Sequence, residues 1–422
     1  GQKLVFKTTK KEYSVSKKSR MPLVTRLLYI LSKLLRQFQS DEDYFFIGSK
    51  LFILTELRLQ LRLKQIPQIW SNFRNISIPD YNFDLGIRQW SLSSEENDDR
   101  FENIISQLIP LHIPRVYLEE YNGLISLVDE SPWPKKPKAI FTSNSHFSDE
   151  FFKAWAAKKS TENIPLIIGQ HGGNYGMTPF SSPEKHDIAI ADKFLSWGWS
   201  DIENNKIIPV GNLITMNHSI KHNPKGKGLM VEMDLPRYSY YIYSIPIAGQ
   251  YLEYLEDQNT FLNALPEKLS QQIILRLHPL KIGHDTSHYW HENFPNLQFD
   301  SGEKSIMPLV KNTRLYISTY NATTYLMSLN WNIPTIIFWN PTHWELNDEA
   351  YSYMNILKAV GIFHDNSDSA AKHLIKIWDD IPSWWNSNEV QNARKEFCKN
   401  YSYSPLKPLK ALETIFKEIT KV

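Results

Sequence analysis

Short apolar runs alternate with longer amphipathic stretches along much of the chain, and this alternation predicts strands followed by helices. Residues 138–142 (KAIFT) and 164–169 (IPLIIG) predict buried strands, and residues 148–159 (SDEFFKAWAAKK) between them have the spacing of a helix. We expect Ser148 to cap this helix and Asp149 to lie in its first turn, where the helix dipole favours an acidic side chain. Strand, helix and strand at this spacing indicate a βαβ unit and therefore a parallel sheet.

The alternation continues to residue 339 and falls into two series. Residues 223–228 (NPKGKG) lie between them, and their Pro, Gly and Lys content predicts a linker. Each series has the pattern of a Rossmann-like half, so we expect two such halves joined near residue 220. The further predicted elements are strands at 193–199, 206–212, 240–246, 273–279, 314–319 and 334–339, and helices at 250–269 and 321–330.

Length and composition agree with this division. At 422 residues, 42% of them hydrophobic, the chain is larger than one hydrophobic core usually organises, so two domains are expected. The predicted division is an arm at 1–45, an N-terminal domain at 46–218, a C-terminal domain at 219–400 and a C-terminal helix at 401–422. The single cysteine, Cys398, excludes an intrachain disulfide, and no stretch has the form of a signal peptide, so a cytoplasmic location is expected.

The positive charge is concentrated at the start of the chain. Residues 1–40 contain seven lysines, three arginines and one glutamate, a net charge of +9, which leaves −7 for the rest of a chain whose total is +2. In a helix, Arg26, Lys33 and Arg36 would share one face, and leucines would form the other. These leucines are Leu23, Leu27, Leu28, Leu31, Leu34 and Leu35. Such a helix, within residues 17–37, either contacts the anionic cytoplasmic face of the inner membrane or packs on its own domain, and its charges prevent it from spanning a bilayer.

Two functional classes find no support in the sequence. The basic arm is not accompanied by an RNP, zinc-knuckle or helix-turn-helix pattern, so no nucleic-acid partner is expected. The histidines are scattered, and the Asp-x-Asp match at residues 41–43 precedes the α/β pattern. We therefore expect neither a metal nor another cofactor.

Polar residues at the ends of three predicted strands form the candidate site, because ligands of open parallel sheets bind beyond the carboxyl ends of the strands. In residues 273–280 (IILRLHPL), Arg276 and His278 alternate with leucines and project to one side, and Pro279 ends the pairing. A guanidinium beside an imidazole suits a phosphate oxygen, and His278 would stabilise the charge of a departing phosphate. The alternative is that His278 satisfies nearby backbone carbonyls.

A second strand end, residues 316–326 (YISTYNATTYL), carries hydroxyl and amide side chains before a helix resumes. They are Ser318, Thr319, Asn321, Thr323 and Thr324. Together with the free backbone N–H groups of a helix N-terminus, such side chains form an anion site, whereas helix capping alone would need only one of them. We therefore expect a phosphate site here, with capping as the alternative.

The third strand end is the loop at residues 169–176 (GQHGGNYG). Gly172 and Gly173 allow a close approach of the backbone, Gln170 supplies a donor, and His171 is a potential base. The glycine spacing matches neither the dinucleotide fingerprint nor a P-loop. A purely structural turn is the alternative.

The second half thus carries phosphate-binding features and the first half a Gly-His loop. This suits a nucleotide-sugar transferase whose donor lies on the C-terminal domain and whose acceptor enters from the N-terminal one. The acceptor hydroxyl needs a base within hydrogen-bond reach. His171 is the first candidate, followed by Asp149 and Glu184, and one of these carboxylates would be a nucleophile if the reaction retains configuration through two displacements.

These motifs resemble those of known enzymes. His278-Pro279, followed about 40 residues later by Ser318-Thr319, is similar to the His-Pro and Ser/Thr motifs of bacterial sialyltransferases, polysialyltransferases and capsule Kdo transferases, GT-B-like enzymes with CMP-activated sugars. A closer resemblance is to transferases from surface-polysaccharide loci, whose relatives include retaining pseudaminic acid transferases of bacterial capsules. It runs from about residue 138 to 400, through IGQHGGNYG, ADKFLSWGW, RLHP, STYNATTYL, PTIIFWNP, GIFH and SWW.

The resemblance implies an α/β, GT-B-like fold with two Rossmann-like domains facing a central cleft. It implies transfer of a nonulosonic acid, such as pseudaminic acid, from a CMP-activated donor to a hydroxyl of a free or lipid-linked capsule or O-antigen glycan. His278 would contact the CMP phosphate, Ser318-Thr319 and the helix start would hold it, and the loop 170–173 would line the reaction centre. Many GT-B enzymes hold the ribose with a glutamate where this chain has Tyr325-Leu326-Met327, so Glu345 is the substitute expected here.

Two other functions fit parts of the sequence. CDP-glycerol glycerophosphotransferases also have a His-Pro strand end and also release CMP. A non-catalytic glycan-binding protein would use tryptophans as stacking platforms, although tryptophans more often pack in cores. The candidate platforms are Trp339, Trp344, Trp384 and Trp385.

Overall fold

The structure is a computed structural model and describes residues 23–70, 83–90, 100–236, 241–279, 284 and 286–420. These residues form two β-sheets in which every strand pair is parallel, and helices alternate with the strands. The α/β, GT-B-like fold that the sequence predicts is therefore confirmed. Residues 17–22 of the predicted membrane-contacting segment and residue 240 of a predicted strand lie outside the described residues.

The first sheet has five strands in the order of the chain. They are β1 (Phe45–Phe46), β2 (Ile140–Thr142), β3 (Leu166–Gly169), β4 (Lys193–Ser196) and β5 (Ile207–Pro209). The helices of this part are α1 (Leu23–Leu35), α2 (Ile53–Arg62), α3 (Arg100–His112), α4 (Tyr121–Asp129), α5 (Ser145–Ser148), α6 (Glu150–Thr161) and α7 (Ser182–Ile190). Every residue of β3 is buried, as expected for a parallel strand that is covered on both faces.

The second sheet has six strands in the order β11-β10-β9-β6-β7-β8. They are β6 (Lys227–Val231), β7 (Ile273–Arg276), β8 (Gln298–Asp300), β9 (Thr313–Ser318), β10 (Thr335–Phe338) and β11 (Phe363–His364). The strand order reverses between β6 and β9, which is the arrangement of a doubly wound Rossmann sheet. The associated helices are α8 (Gln250–Asn263), α9 (Glu267–Ser270), α10 (Thr286–Asn293), α11 (Met307–Lys311), α12 (Thr323–Asn330), α13 (Asp348–Ala359), α14 (Ser367–Ile377), α15 (Ile381–Trp385) and α16 (Asn388–Tyr401).

The last helix, α17 (Pro408–Ile419), returns to the first sheet. The ring of Phe416, fully buried, lies with its centroid 5.2 to 5.7 Å from those of Tyr44, Phe46 and Phe141. The end of the chain therefore completes the core of the part where the chain begins. The domain boundaries at residues 45, 218 and 400 stay predictions, although the two sheets do divide between β5 and β6.

The structure corrects one predicted strand. Residues 241–246 contain no strand, and Tyr243 forms only an isolated bridge with Ser181. The strand at this point of the fold is instead β6, whose first residues belong to the segment predicted as a linker. Because β6 is short and begins with Lys227-Gly228, its apolar run of three residues was too brief to predict a strand that occupies the centre of the sheet.

Two helix boundaries also differ from the prediction. Asp149, not Ser148, caps α6, and its carboxylate accepts a hydrogen bond from the Phe152 N–H at 3.0 Å. Ser148 ends the short helix α5 instead. The helix predicted at 250–269 is interrupted before Pro266, which precedes the first residue of α9.

Helix α1 packs on the protein through Ser32 and the half-buried residues near it. Its Ser32 hydroxyl is buried and receives the Ile69 N–H at 2.8 Å, and the guanidinium of Arg36, just beyond the helix, lies 4.2 Å from the centre of the Trp70 ring. The outward residues are Leu23, Val24, Leu27, Ile30, Leu31 and Leu34, which are 47 to 71% exposed. Leu28 and Leu35 of the predicted leucine face are half-buried, so this face is exposed only in part. Among the described residues, no helix is long and apolar enough to cross a membrane.

Candidate functional site

Two adjoining cavities lie at the carboxyl end of the second sheet, where the strand order reverses between β6 and β9. The larger has a volume of about 710 Å³ and the smaller about 350 Å³. Met233, Ala322 and Thr323 line both cavities, and the loop after β3 and the start of α7 line the larger one. A reversal of strand order opens a crevice between diverging loops, which is the usual ligand site of such a sheet.

A third cavity, of about 600 Å³, lies at the opposite edge of the first sheet. Its lining includes Pro165 and Lys193, at the beginnings of β3 and β4, and Ile415 of α17. Because ligands of parallel sheets bind beyond the carboxyl ends of the strands, this position argues against a catalytic role.

The N-terminus of α12 lies between the two cavities and has no capping side chain. Its N-cap residue is Ala322, and the Thr323 hydroxyl oxygen accepts a hydrogen bond from the Gly173 N–H at 3.0 Å. Asn321 lines the larger cavity and is 2% exposed; its Oδ1 accepts the Tyr325 hydroxyl at 3.0 Å, but its Nδ2 has no partner among the described residues. Leaving a buried donor unpaired costs about 1–3 kcal/mol. This amide and the first-turn N–H groups together can therefore bind an anion.

The hydroxyls of the same turn have different surroundings. Ser318 and Thr319 are buried and line neither cavity, and their hydroxyls donate to the carbonyls of Tyr320 at 3.2 Å and Val231 at 2.9 Å. Thr324 lines the smaller cavity, with its hydroxyl 3.1 Å from that of Tyr320. Ser318 and Thr319 thus fasten the turn to the sheet, and a ligand in the cavity would meet Thr324.

The end of β7 also lines the smaller cavity. The Arg276 guanidinium forms an ion pair with Asp300 and donates to the carbonyls of Gly302 at 2.9 Å and Lys304 at 2.6 Å. The Asp300 carboxylate balances the positive charge of Arg276, and the two carbonyls occupy further N–H donors. Arg276 therefore forms part of the cavity wall but adds little positive charge to the cavity. His278-Pro279 follows and lines the same cavity, with the histidine partly exposed.

A carboxylate that sequence reasoning missed lies directly after β6. Glu232 lines the smaller cavity, is 1% exposed, and accepts hydrogen bonds from the Thr286 hydroxyl at 2.7 Å and the Trp290 indole at 2.6 Å. Burial raises the pKa of Glu232 to about 7, against the lowering effect of these hydrogen bonds. Its position at a strand end was hidden because β6 itself was not predicted.

The glycine loop of the first half touches the N-terminus of α12. A Cβ on Gly173 would lie 2.3 Å from the carbonyl carbon of Ala322, and one on Gly172 would lie 3.2 Å from Thr323 Oγ1. The loop is also joined to the cap of α13, where the Asn347 side chain donates to the Gly176 carbonyl at 3.0 Å. Gly173 is therefore required for close contact between the two halves, which fits a structural and a catalytic role alike.

Gln170 braces this loop and does not line the cavities. Its Oε1 accepts hydrogen bonds from the Trp197 N–H and the Trp199 indole, both at 2.9 Å. Its Nε2 donates to the Gly172 carbonyl at 2.8 Å. The side chain is 1% exposed and its hydrogen-bonding groups are occupied, so it shapes the loop from behind.

His171 lines the larger cavity, and its side chain is 29% exposed. Its ring lies between those of Phe147 and Tyr175, at centroid distances of 4.8 and 5.4 Å. Burial lowers the pKa of His171 to about 4, and the nearby Asp187 carboxylate acts in the opposite direction. The imidazole is therefore neutral at neutral pH and has a nitrogen lone pair that can accept a proton.

The other candidates for the base lie elsewhere. Asp149 is 3% exposed and caps α6, outside the cavity lining. The Glu184 carboxylate accepts the Gly176 N–H at 2.7 Å, and burial raises its pKa to about 7. Glu345 is exposed, accepts the Ser244 hydroxyl at 3.0 Å and lines neither cavity. Asp149 and Glu184 thus have structural roles as acceptors of backbone hydrogen bonds. The contact of Glu345 with Ser244 does not support the predicted role of Glu345 in holding the ribose.

The tryptophans proposed as stacking platforms are mostly core residues. Trp339, Trp344 and Trp385 are each 2% exposed, and Trp384 donates its indole N–H to the Val360 carbonyl at 2.9 Å. The three buried rings form no exposed platform, although Trp344 lines the larger cavity. Within the described ranges, no group of three or more His, Cys, Asp or Glu side chains is placed to hold a metal ion, and metal independence stays a prediction.

The solved structures that resemble this chain have low sequence identity and low TM-scores. A Streptomyces sp. SF2575 glycosyltransferase, SsfS6, is 12% identical over 92% of this chain and 95% of its own, with a TM-score of 0.35. Arabidopsis thaliana UGT89C1 complexed with UDP is 14% identical over 93% and 96%, with a TM-score of 0.42. WaaG, a glycosyltransferase involved in lipopolysaccharide biosynthesis, is 10% identical over 70% and 94%, with a TM-score of 0.33. These likenesses are too distant to carry an argument, and no curated protein matches the chain.

Family membership has a firmer basis in the sequence. The sequence model of the LIC12162 family transferases matches residues 2–416, nearly the whole chain. The match includes both sheets, the glycine loop and the N-terminus of α12. Because the family is one of transferases, the match favours an enzyme over a non-catalytic glycan-binding protein. The chain therefore belongs to the LIC12162 family of transferases.

Proposed function

We propose that this transferase is a glycosyltransferase that moves a nonulosonic acid of the pseudaminic acid type from a CMP-activated donor to a hydroxyl of a bacterial capsule or O-antigen glycan. The observation that carries the proposal is the uncapped N-terminus of α12 with the unpaired Nδ2 of Asn321, at the point where the strand order reverses. The donor class itself comes from the motif resemblance, which the His278-Pro279 strand end supports.

The leaving phosphate would lie at the N-terminus of α12. When CMP departs, negative charge accumulates on the phosphate, and fixed donors directed at that charge lower the barrier. The first-turn N–H groups, the Asn321 amide and the Thr324 hydroxyl supply such donors, and His278 lies in the wall of the adjoining cavity. A cluster of neutral donors can stabilise this charge, so the proposed enzyme works without a metal.

The acceptor would enter the larger cavity on the side of the first sheet. Its volume of about 710 Å³ is in the range of cavities that hold small ligands, and it contains both His171 and the glycine loop. A neutral His171 can take the proton of the acceptor hydroxyl as that oxygen attacks the donor sugar. The Gly173 N–H donates to Thr323 Oγ1, so the Gly172 N–H is the proposed partner of the donor carboxylate.

A glycerophosphotransferase that uses CDP-glycerol is the second candidate, because it too would release CMP from the same pocket. A donor panel separates the two. The purified chain is incubated in EDTA with CMP-pseudaminic acid, CMP-sialic acid, CMP-Kdo or CDP-glycerol, and released CMP is measured with a glycan acceptor present. Acceptor-dependent release from a CMP-nonulosonic acid is expected. Release from CDP-glycerol alone would replace the proposal by the second candidate.

A binding experiment tests the phosphate site separately from turnover. Replacing Asn321→Ala removes one donor to the phosphate, so the Kd of CMP should rise roughly tenfold, since a hydrogen bond to a charged group contributes about 1.5 kcal/mol or more. Cytidine, which has no phosphate, is the matched control ligand, and its Kd should not change. An equal effect on cytidine and CMP, or no effect on either, would contradict the phosphate site.

For the cellular setting, we propose a cytoplasmic enzyme in peripheral contact with the inner membrane through residues 17–37. The outward leucine face of α1 supports this, because large apolar side chains gain free energy on leaving water. The net charge of +9 in residues 1–40 adds attraction to anionic lipids. Such contact would bring the cavities near a lipid-linked acceptor.

A further inference from the structure

Behind His171 lies a buried carboxylate that the proposed reaction does not yet use. Asp187, on α7, has no exposed surface. Its Oδ1 lies 2.6 Å from Nε2 of His146, and its Oδ2 accepts the Tyr175 hydroxyl at 3.0 Å. The same Oδ2 lies 3.9 Å from Nδ1 of His171. One carboxylate is thus surrounded by three side chains from the segments that form the wall of the larger cavity.

A fully buried carboxylate is costly unless its surroundings stabilise its charge. Two hydrogen bonds do so here, and they also fix the direction in which the carboxylate faces His171. The Nδ1 of His171 is buried and has no hydrogen-bond partner in the described part of the chain. A proton on Nδ1 would therefore point toward Asp187, which leaves Nε2 of the same ring as the basic nitrogen.

We propose that Asp187 is a positioning residue for His171: it selects the tautomer with the proton on Nδ1 and stabilises the imidazolium that forms during transfer. The inference rests on the proposed function, with His171 as the base. The acceptor oxygen forms a bond to the anomeric carbon, the bond from that carbon to the CMP phosphate oxygen breaks, and its electron pair leaves with CMP. The acceptor proton passes to Nε2 of His171, and the new positive charge then faces the Asp187 carboxylate.

His146 and Tyr175 keep Asp187 in place, and Tyr175 also lines the larger cavity. His146 is 4% exposed and contacts Oδ1, whereas Oδ2 is the carboxylate oxygen near His171. Tyr175 bridges the carboxylate and the ring of His171, since its own ring lies 5.4 Å from the imidazole. Other charged groups act on His171 in the opposite sense to Asp187: Lys50, in the loop after β1, and His146 when protonated both disfavour a positive imidazolium.

The test compares Asp187→Asn with Asp192→Asn, which changes a more exposed carboxylate that also accepts a hydrogen bond. Asp192 accepts the Leu166 N–H at 2.7 Å, at the opposite edge of the same sheet and far from His171. For Asp187→Asn, we expect kcat to fall at least 100-fold while the Kd of CMP stays within twofold, because only the proton transfer loses support. Asp192→Asn should keep both values. A kcat for Asp187→Asn equal to that of the control would overturn the proposal.

A double variant separates positioning from a general loss of structure. If Asp187 acts through His171, adding Asp187→Asn to His171→Ala should cause no further loss of kcat. Independent, multiplicative losses would contradict the inference. Because the Asp187→Asn protein must fold to be informative, its melting temperature is measured beside the control.

A measurement on the unmodified chain remains decisive if the variant does not fold. Nitrogen-15 NMR of labelled histidines reports which ring nitrogen of His171 carries the proton, and His171→Ala identifies the signal. The expected tautomer has the proton on Nδ1, and a proton on Nε2 would refute the inference. This result is independent of turnover, whereas failure of the wild-type chain to use any CMP-sugar would refute the proposed function instead.

Discussion

The contact between Gly173 and the N-terminus of α12 gives the sharpest prediction about the site. In Gly173→Ala, the new Cβ would lie 2.3 Å from the Ala322 carbonyl carbon, 2.4 Å from its oxygen and 2.7 Å from the Thr323 nitrogen. These atoms are all backbone, so no side-chain rotation relieves the contact. The loop and the helix must separate by about 1 Å to reach ordinary van der Waals distances.

That separation has two measurable consequences. Overpacking of this kind typically costs about 1–3 kcal/mol, and the loss of the hydrogen bond from the Gly173 N–H to Thr323 adds about 1 kcal/mol. The displacement also moves His171 relative to the phosphate site, and a misplacement of about 1 Å can reduce the rate about 100-fold. We therefore expect a lower melting temperature and a kcat reduced by about two orders of magnitude.

Gly172→Ala is the matched control for this experiment. Its Cβ would meet only the Thr323 Oγ1, at 3.2 Å, so an adjustment of a few tenths of an ångström suffices. Unfolding of both variants is followed by calorimetry, and turnover by release of CMP from the active donor. If Gly173→Ala matches Gly172→Ala in stability and kcat, the close contact does not exist as described, and this loop does not couple the two halves.

Two further predictions concern other parts of the molecule. The pKa of Glu232 is raised to about 7, so the folded state disfavours the ionised carboxylate. The free energy of unfolding therefore falls as the pH rises from about 4.5 to 7 and stays low above pH 7. The total loss is about 3 kcal/mol. The free energy of unfolding, measured from pH 4 to 8, should therefore fall more steeply in the wild type than in Glu232→Gln, and equal slopes would contradict the buried carboxylate. For the membrane, replacing Leu27→Ser or Leu31→Ser should weaken sedimentation with anionic vesicles about tenfold each, as expected for about 1.5 kcal/mol per inserted leucine, without changing the melting temperature. Leu252→Ser, at an equally exposed position on α8, should have no effect, and equal binding by all three variants would exclude insertion of α1.

Strands of the two sheets were predictable wherever an apolar run had clear ends. IPLIIG and PTIIFW are such runs, and the structure has β3 and β10 there. The strand β6 escaped because Lys227-Gly228 belongs to a segment with the composition of a linker, while neighbours on both sides of the sheet stabilise a run too short to be recognised locally. Tertiary contacts, which the sequence pattern does not contain, decide such cases.

The candidate site was predictable in location more than in detail. Strand-end reasoning identified the turn at β9 and the loop after β3, and both lie at the cavities. It did not distinguish side chains that face the cavity from those that face the sheet. In the structure, Ser318 is buried against the turn, whereas Asn321 lines the larger cavity. Asp187 was missed because a single acidic residue in a helix carries no pattern, and only folding brings it to His171.

The most direct test of the phosphate site is a crystal structure of the chain with CMP, grown in EDTA. The expected result places the phosphate within about 3 Å of Asn321 Nδ2 and of the first N–H groups of α12, with the imidazole of His278 beside it. A nucleotide bound outside the two cavities, or a phosphate without contact to α12, would contradict the phosphate site on which the proposed function rests.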